Sequence, residues 1–276
     1  LAALIGCGLA VCGVIMQAIV KSPRADPYIL GISSGASLGA TSAILLGIGA
    51  SLGPNFVGIS AFIGAFVLSL AVLFISNLGG RSNSMKLLLA GMALSAVCSA
   101  FSSFIVYFAN NKEGMQSIAY WLMGSLAGAK WNELAVIAPV IIVSVLFFWT
   151  QSRVLNLMLL GDETAITMGT DLHLYRQWYL LISSLIVGFA VYAAGMIGFV
   201  GLIIPHVMRM FLGPDHKRLI PASALVGAIF LVICDGLCRI IIPHTELPIG
   251  ILISMIGAPC FIYLMIKRTY GFGGND

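Results

Sequence analysis

The chain has 276 residues, of which 60% are hydrophobic and only 9% are Asp, Glu, Lys or Arg, whereas a soluble chain carries roughly 25% charged residues. With a mean hydropathy of +1.06 it lacks the polar side chains to cover a water-facing globule, which excludes a secreted domain, a cytosolic enzyme and a disordered protein. The formal charge of +4 is too small to argue for nucleic acid, and six Cys without paired spacing propose no disulfide framework.

A helix across a bilayer needs about 20 residues with few charges, so the distance between successive charged residues marks the spans. Leu1 to Val20 holds none, and Pro27 to Gly80 is 54 residues without one. The second run must be two spans, turned at Gly49 to Asn55. Leu87 to Asn111 and Leu134 to Ser152 supply one span each. The 32 uncharged residues from Gln177 to Met208 read as two shorter spans meeting near Ala194 to Gly198, where Gly195 and Gly198 can break a helix. Leu219 to Cys234 and Leu247 to Ile266 complete about nine spans. The runs are continuously apolar and do not alternate in short segments, so the fold class is all-α and polytopic, not a β-barrel.

Basic residues orient the spans. If the first runs inward, Lys21, Arg24, Arg81, Lys86, Arg153, Arg176, Arg209, Lys217, Arg218, Lys267 and Arg268 face the cytoplasm, against Lys112, Lys130 and Arg239 outside. Eleven against three is a strong positive-inside bias, which makes the C-terminus cytoplasmic. Leu1 opens directly into a span with no basic segment before it, which does not read as a signal peptide. An odd number of spans with an inward C-terminus reads instead as a chain whose first helix is missing.

Gly31, Gly35 and Gly39 form overlapping GxxxG steps, as do Gly49 with Gly53 and Gly124 with Gly128. Small residues let helix backbones approach closely in lipid, and packing is the simpler reading beside a pore-lining one. GISSG also satisfies GxSxG, but no His and acid partner can be nominated, so Ser33 reads as a helix-packing or capping residue. The longest polar segment, Gln151 to Gln177, is amphipathic and long enough for a docking surface on the inner side. Adjacent Asp162 and Glu163 lack the spacing of a metal-binding pair. In Gly195 to Arg218, Pro205 interrupts the helical ladder and His206 sits beside it. A membrane His can be a metal ligand or proton relay, or more simply bond a backbone group that the proline frees. Cys234 and Cys238 with His244 suggest a soft-metal site but lack a convincing further ligand, so no metal is assigned. Asp235 and Arg239 are spaced for an ion pair near the outer end of a span. There is no GxxxxGK[ST], so ATP hydrolysis would need a separate motor.

At these residues the sequence resembles the permease subunits of type II ABC importers, the family that moves iron siderophores, haem and vitamin B12. The resemblance spans essentially the whole chain. It rests on Gly8 to Ala40, Lys86 to Ala100, Tyr120 to Gly128, Leu160 to Gly169, Gly195 to Arg209 and Glu246 to Met265. It implies one ten-helix permease domain over residues 1–276, lacking its first helix, in a bacterial inner membrane. It further implies a homodimer or pseudo-dimer on two cytoplasmic ATP-binding subunits that hold ATP and Mg, with no cofactor or catalytic residue on this chain. By the same resemblance, the loop at about 151–177 forms coupling helices, with Leu160, Gly161, Asp162, Glu163, Ala165 and Gly169 meeting the ATPase. The cytoplasmic gate falls at Ser84 and Met85, the second departing from the small polar residues of relatives. Arg239 would dock an extracytoplasmic substrate-binding protein or pair with Asp235. Gly198, Gly201 and Pro205 join Gly31, Gly35 and Gly39 as packing residues. An iron siderophore or haem chelate is the expected substrate, with cobalamin or a molybdate-type oxyanion as alternatives. A proton-coupled secondary transporter and an intramembrane serine hydrolase are the rivals from other classes, and both leave the long inner loop unexplained.

Overall fold

Each expected span folds as helix in the computed structural model, which describes residues 1–22, 25–28, 30–78, 83–242 and 245–267. Among the described residues there is no strand. The elements are α1 (Ala2–Val20), α2 (Ile32–Leu46), α3 (Phe56–Asn77), α4 (Ser84–Ala109), α5 (Lys112–Met123), α6 (Trp131–Thr150), α7 (Ser152–Leu160), α8 (Asp162–Thr167), α9 (Leu172–Ala194), α10 (Val200–Leu212), α11 (His216–Ile241) and α12 (Ile249–Lys267). Six of them are long and apolar enough to cross a membrane, and the three shorter apolar helices Ile32–Leu46, Val200–Leu212 and Ile249–Tyr263 occupy the other expected spans. The turn expected at Gly49 to Asn55 is present, and α9 and α10 part at Gly195, as read from the uncharged run. Arg24, Arg81, Arg268 and His244 lie outside the described residues.

α1 is the axis of the fold. It is apolar on every face, and Ile5 and the stretch from Gly8 to Val20 are buried under α4, α6, α7, α9, α10 and α11. Such enclosure requires close backbone approach, which glycines provide. A Cβ on Gly6 would overlap the Gly227 carbonyl of α11, and one on Gly13 would overlap the Gly201 carbonyl of α10. Pro205 has no N–H to offer Gly201 one turn back, so that carbonyl is free to face α1. The Gly13 Cα hydrogens meet it there, a weak Cα–H···O contact. Pro205 leaves α10 continuous.

α2 and α3 pack as the GxxxG steps predict. A Cβ on Gly35 would lie 2.5 Å from the Gly64 carbonyl, and one on Gly39 would overlap the Ser60 carbonyl. Gly31 caps α2 at φ 87, a conformation that costs a residue with a side chain more. The other steps do not form such crossings along two helices, although Gly124 closely approaches the Ala194 and Met196 carbonyls at and just past the end of α9. Gly49 and Gly53 flank the short 3-10 turn Ala50–Leu52, Gly124 ends α5 with positive φ, and Gly128 faces open space. Gly198, read as a packing residue, also has open space where its Cβ would be, because it precedes α10 and crosses no other helix.

The connection from α1 to α2 folds back between helices. Pro27 packs on Gly201 and Leu30 on Gly91, two turns inside α4. Asp26 accepts the backbone N–H groups of Tyr28 and Phe199, tying this connection to the start of α10. Asp26 thereby lies among the helices although it belongs to none of them.

Candidate coupling face and gate

The polar segment after α6 becomes two short helices because its sequence supplies both a buried stripe and turn residues. Ser152, Leu155 and Met158 recur at intervals of three and form the inward face of α7. Gly161 then turns the chain at φ 105, a value suited to glycine, and α8 begins at Asp162. α8 closes in a Schellman motif: the Thr170 N–H donates to Ala165 O at 2.9 Å and the Gly169 N–H to Ile166 O at 2.9 Å, with Gly169 at φ 79. Ala165 is buried, while Leu160, Ile166 and Met168 are exposed apolar residues on the outer surface of the pair. The last six residues of the predicted loop belong to α9.

Side chains fix this pair to the bundle at two points. Asn156 of α7 donates to Asp215 Oδ1 at 2.8 Å and accepts the His216 N–H at 2.9 Å, which anchors α7 to the start of α11. Asn156 is the leading cause holding the Asp215 carboxyl below its usual range, followed by the Lys217 N–H. Asp162 of α8 accepts Lys21 Nζ at 2.8 Å and the Arg176 guanidinium, whose Nη1 lies 2.9 Å from Oδ2 while Nη2 meets Oδ1. Arg176 is only 2% exposed at the start of α9. The Arg176 hydrogen bonds, and after them that of Lys21, hold the Asp162 carboxyl at about 2 against the opposing effect of burial. Glu163, the next residue, is exposed.

Beside this pair lies the predicted gate. Asn83 caps α4 by accepting the Lys86 N–H at 2.8 Å. The Ser84 hydroxyl donates to Ile19 O of α1 at 2.6 Å, and Met85 points outward, 61% exposed. Ser84, Met85, Lys21 and the turn from Leu160 to Thr164 enclose a cleft of about 480 Å³. Residues expected to serve coupling and gate, about 80 positions apart in sequence, therefore share one cleft.

At the opposite end Arg239 makes the ion pair with Asp235 that the i, i+4 spacing allows, with Nε 3.1 Å from Oδ2, and adds a contact to Glu246 at 3.4 Å. The ends of α5, α9 and α12 meet nearby: the Ser125 N–H donates to Ala194 O at 2.9 Å and the Ile249 N–H to Gly124 O at 3.2 Å. Asn55 bonds Glu133 and, at 3.2 Å, the Tyr192 hydroxyl.

A family model for the FecCD transport family matches residues 1–267. The chain belongs to that family. It is 39% identical over 271 residues to the hemin transport system permease HmuU of Yersinia pestis, covering 97% of this chain and 80% of that protein. It is also 39% identical over 272 residues to the cobalamin import system permease of Halobacterium salinarum, covering 97% and 71%. A solved metal-chelate type ABC transporter in an inward-facing conformation superposes with a TM-score of 0.87 at 34% identity, over 97% of this chain and 84% of that one. The resemblance drawn from the six sequence blocks is thus correct, and the chain is an all-helical ABC importer permease.

Other sequence features of this FecCD permease take structural places. Ser34 donates back to Gly31 O at 2.8 Å within the first turn of α2, which has no side-chain cap. Cys234 and Cys238 are buried free thiols, and the described residues contain no group of three or more His, Cys, Asp or Glu fit to hold a metal. His206 is buried, but its Nε2 has no hydrogen-bond partner among the described residues, so the expected bond to a proline-freed backbone group is not seen. Sequence reasoning missed Lys21 and Arg176 as partners of Asp162 and Asn156 as the anchor of α7. It also missed α5, whose mixed polar composition carries no membrane signal.

Proposed function

We propose that this chain is the membrane permease of an importer powered by separate ATP-binding subunits, in a bacterial inner membrane with its C-terminus in the cytoplasm. The whole of residues 1–276 forms one permease domain, which pairs with a second copy or a close relative. The observation that carries the reading is the α7–α8 pair: exposed Leu160, Glu163, Ile166 and Met168 stand on one surface, anchored to the bundle by Asn156 and Asp162 and adjoining Ser84 and Met85. An ATPase seated on that surface can move the cleft that holds the gate. ATP and Mg reside in those subunits, and no covalent step falls on this chain.

Substrate comes from outside, delivered by a binding protein that touches the end of the bundle around Arg239. Because Asp235 and Glu246 already engage Arg239, an acidic group on the binding protein would have to share or displace them. The cargo we favour is an iron chelate, haem or a siderophore, supported by the hemin permease relative. Cobalamin is the second reading, since the halobacterial cobalamin permease is equally similar. The test is uptake into proteoliposomes containing the permease, its ATPase subunits and its binding protein, with haem, a ferric siderophore and cobalamin offered separately. ATP-dependent uptake of an iron chelate supports the reading, and uptake of cobalamin alone replaces it by the second.

A further inference from the structure

Adjacent acidic residues at the start of α8 invite one role, yet the structure separates them. Glu163 is exposed, whereas the Asp162 carboxylate turns back into the bundle between Lys21 and Arg176. Arg176 is 2% exposed, so its charge must be balanced where it sits, and Asp162 accepts from both terminal nitrogens of the guanidinium. A two-pronged pairing of this kind fixes angle as well as distance, which a lone ammonium does not. Lys21 reaches the same oxygen from the other side. It ends α1 in a left-handed conformation, φ 55, unusual for a residue with a side chain. One carboxylate thereby links α8 to the ends of two long helices.

The linkage continues. Two residues before Lys21, the Ile19 carbonyl takes the Ser84 hydroxyl, so the end of α1 is bonded to the first turn of α4. Asp162, Lys21, Ser84 and Met85 all border the same cleft. α1 is itself enclosed by α9, α10 and α11, with backbone-close crossings at Gly6 and Gly13, so a displacement of its end cannot be absorbed locally.

We propose that Asp162 is a positioning residue: its joint bonds to Lys21 and Arg176 form the rigid connection through which movement of α8 reaches α1 and α9, and through Ile19 and Ser84 the gate. The proposal rests on the reading that an ATPase docks on α7–α8, and it divides the labour there. Glu163 with Leu160, Ile166 and Met168 faces the motor, while Asp162 faces the bundle.

The test uses the complete transporter, permease with its ATPase and binding protein, reconstituted in proteoliposomes. Three quantities are read for each variant: ATPase retained on purification of the permease, ATP hydrolysed, and substrate taken up per ATP. Asp162→Asn is expected to retain the ATPase and to hydrolyse ATP, while uptake per ATP falls at least tenfold. Asp162→Glu, which keeps the charge, is expected to recover part of that loss, and Glu163→Lys to lose the ATPase instead. Lys21→Gln leaves the Arg176 pair intact, so it folds even where Asp162→Asn does not, and it too is expected to lower uptake per ATP. Undiminished uptake per ATP in Lys21→Gln or Asp162→Asn overturns the proposal, as does loss of the ATPase by Asp162→Asn to the same degree as by Glu163→Lys. Failure of the unsubstituted permease to retain any ATPase overturns the docking reading itself, and the joint with it.

Discussion

Gly35 and Gly198 both read as packing glycines in the sequence, but only Gly35 stands at a crossing. A Cβ on Gly35 would lie 2.5 Å from Gly64 O, 2.8 Å from Leu68 Cβ and 3.0 Å from Gly64 C, while one on Gly198 would meet nothing within 4 Å. Carbon and oxygen need about 3.3 Å, so Gly35→Ala forces α2 and α3 apart by roughly 0.8 Å, against a backbone atom that cannot rotate away. Overpacking ordinarily costs about 1–3 kcal/mol, and replacing glycine inside a helix returns about 1 kcal/mol. The net loss for Gly35→Ala is about 0–2 kcal/mol, and for Gly35→Val, with two further methyl groups and poorer helix propensity, about 3 kcal/mol or more. At about 2–4 °C per kcal/mol, the melting temperature in detergent should fall by roughly 3 °C for Ala and roughly 9 °C for Val. Gly198→Ala should stay within about 0.5 kcal/mol of the unsubstituted protein. Thermal unfolding of the three purified variants, followed by intrinsic fluorescence, decides the matter. Equal melting of Gly35→Val and Gly198→Ala would refute the close α2–α3 crossing.

Asn156→Ala removes the bonds to Asp215 and the His216 N–H and leaves the buried His216 N–H unmatched, which should cost about 1–2 kcal/mol; a melting temperature equal to that of the unsubstituted chain would show that α7 is not held by Asn156. The Asp162 carboxyl is depressed from 3.8 to about 2, chiefly by Arg176. Its stabilising contribution is therefore present above the unfolded value and is lost only as pH falls toward about 2. Uptake per ATP should accordingly show no Asp162-dependent change between about pH 5 and 8, and a transition near pH 6 abolished by Asp162→Asn would contradict this. Arg239→Glu places a third acid beside Asp235 and Glu246, and should lower affinity for the binding protein at least tenfold in a pull-down titration; unaltered affinity would remove Arg239 from the docking surface.

The membrane topology was legible because charge is scarce enough to punctuate the helices. α1, α3 and α4, the turn before α3 and the break at Gly195 all fall where uncharged runs place them. α5 escaped notice because Lys112 to Met123 mixes polar and apolar residues over a length too short to span lipid. The α7–α8 segment was visible through its amphipathicity, but the direction of each acid was not. Asp162 and Arg176 lie 14 positions apart on different helices, and Lys21 is 141 positions from Asp162, so no local spacing announces their meeting. GxxxG marks small residues without saying which face a second helix, and Gly6, Gly13 and Gly227 make closer crossings than several that fit the motif. Asp26 sits between two prolines in a stretch that reads as a connection, and only the fold reveals that this connection runs back among the helices.

The central claim is that an external ATPase drives this permease through α7 and α8. Proteoliposomes holding the permease, its ATPase subunits and its binding protein, loaded with ATP or with ADP and assayed with and without a proton gradient, test it directly. The account predicts chelate uptake that requires ATP, ignores the gradient and disappears when Glu163→Lys strips the ATPase from α8. Uptake driven by the gradient alone, with no ATPase present, would contradict it.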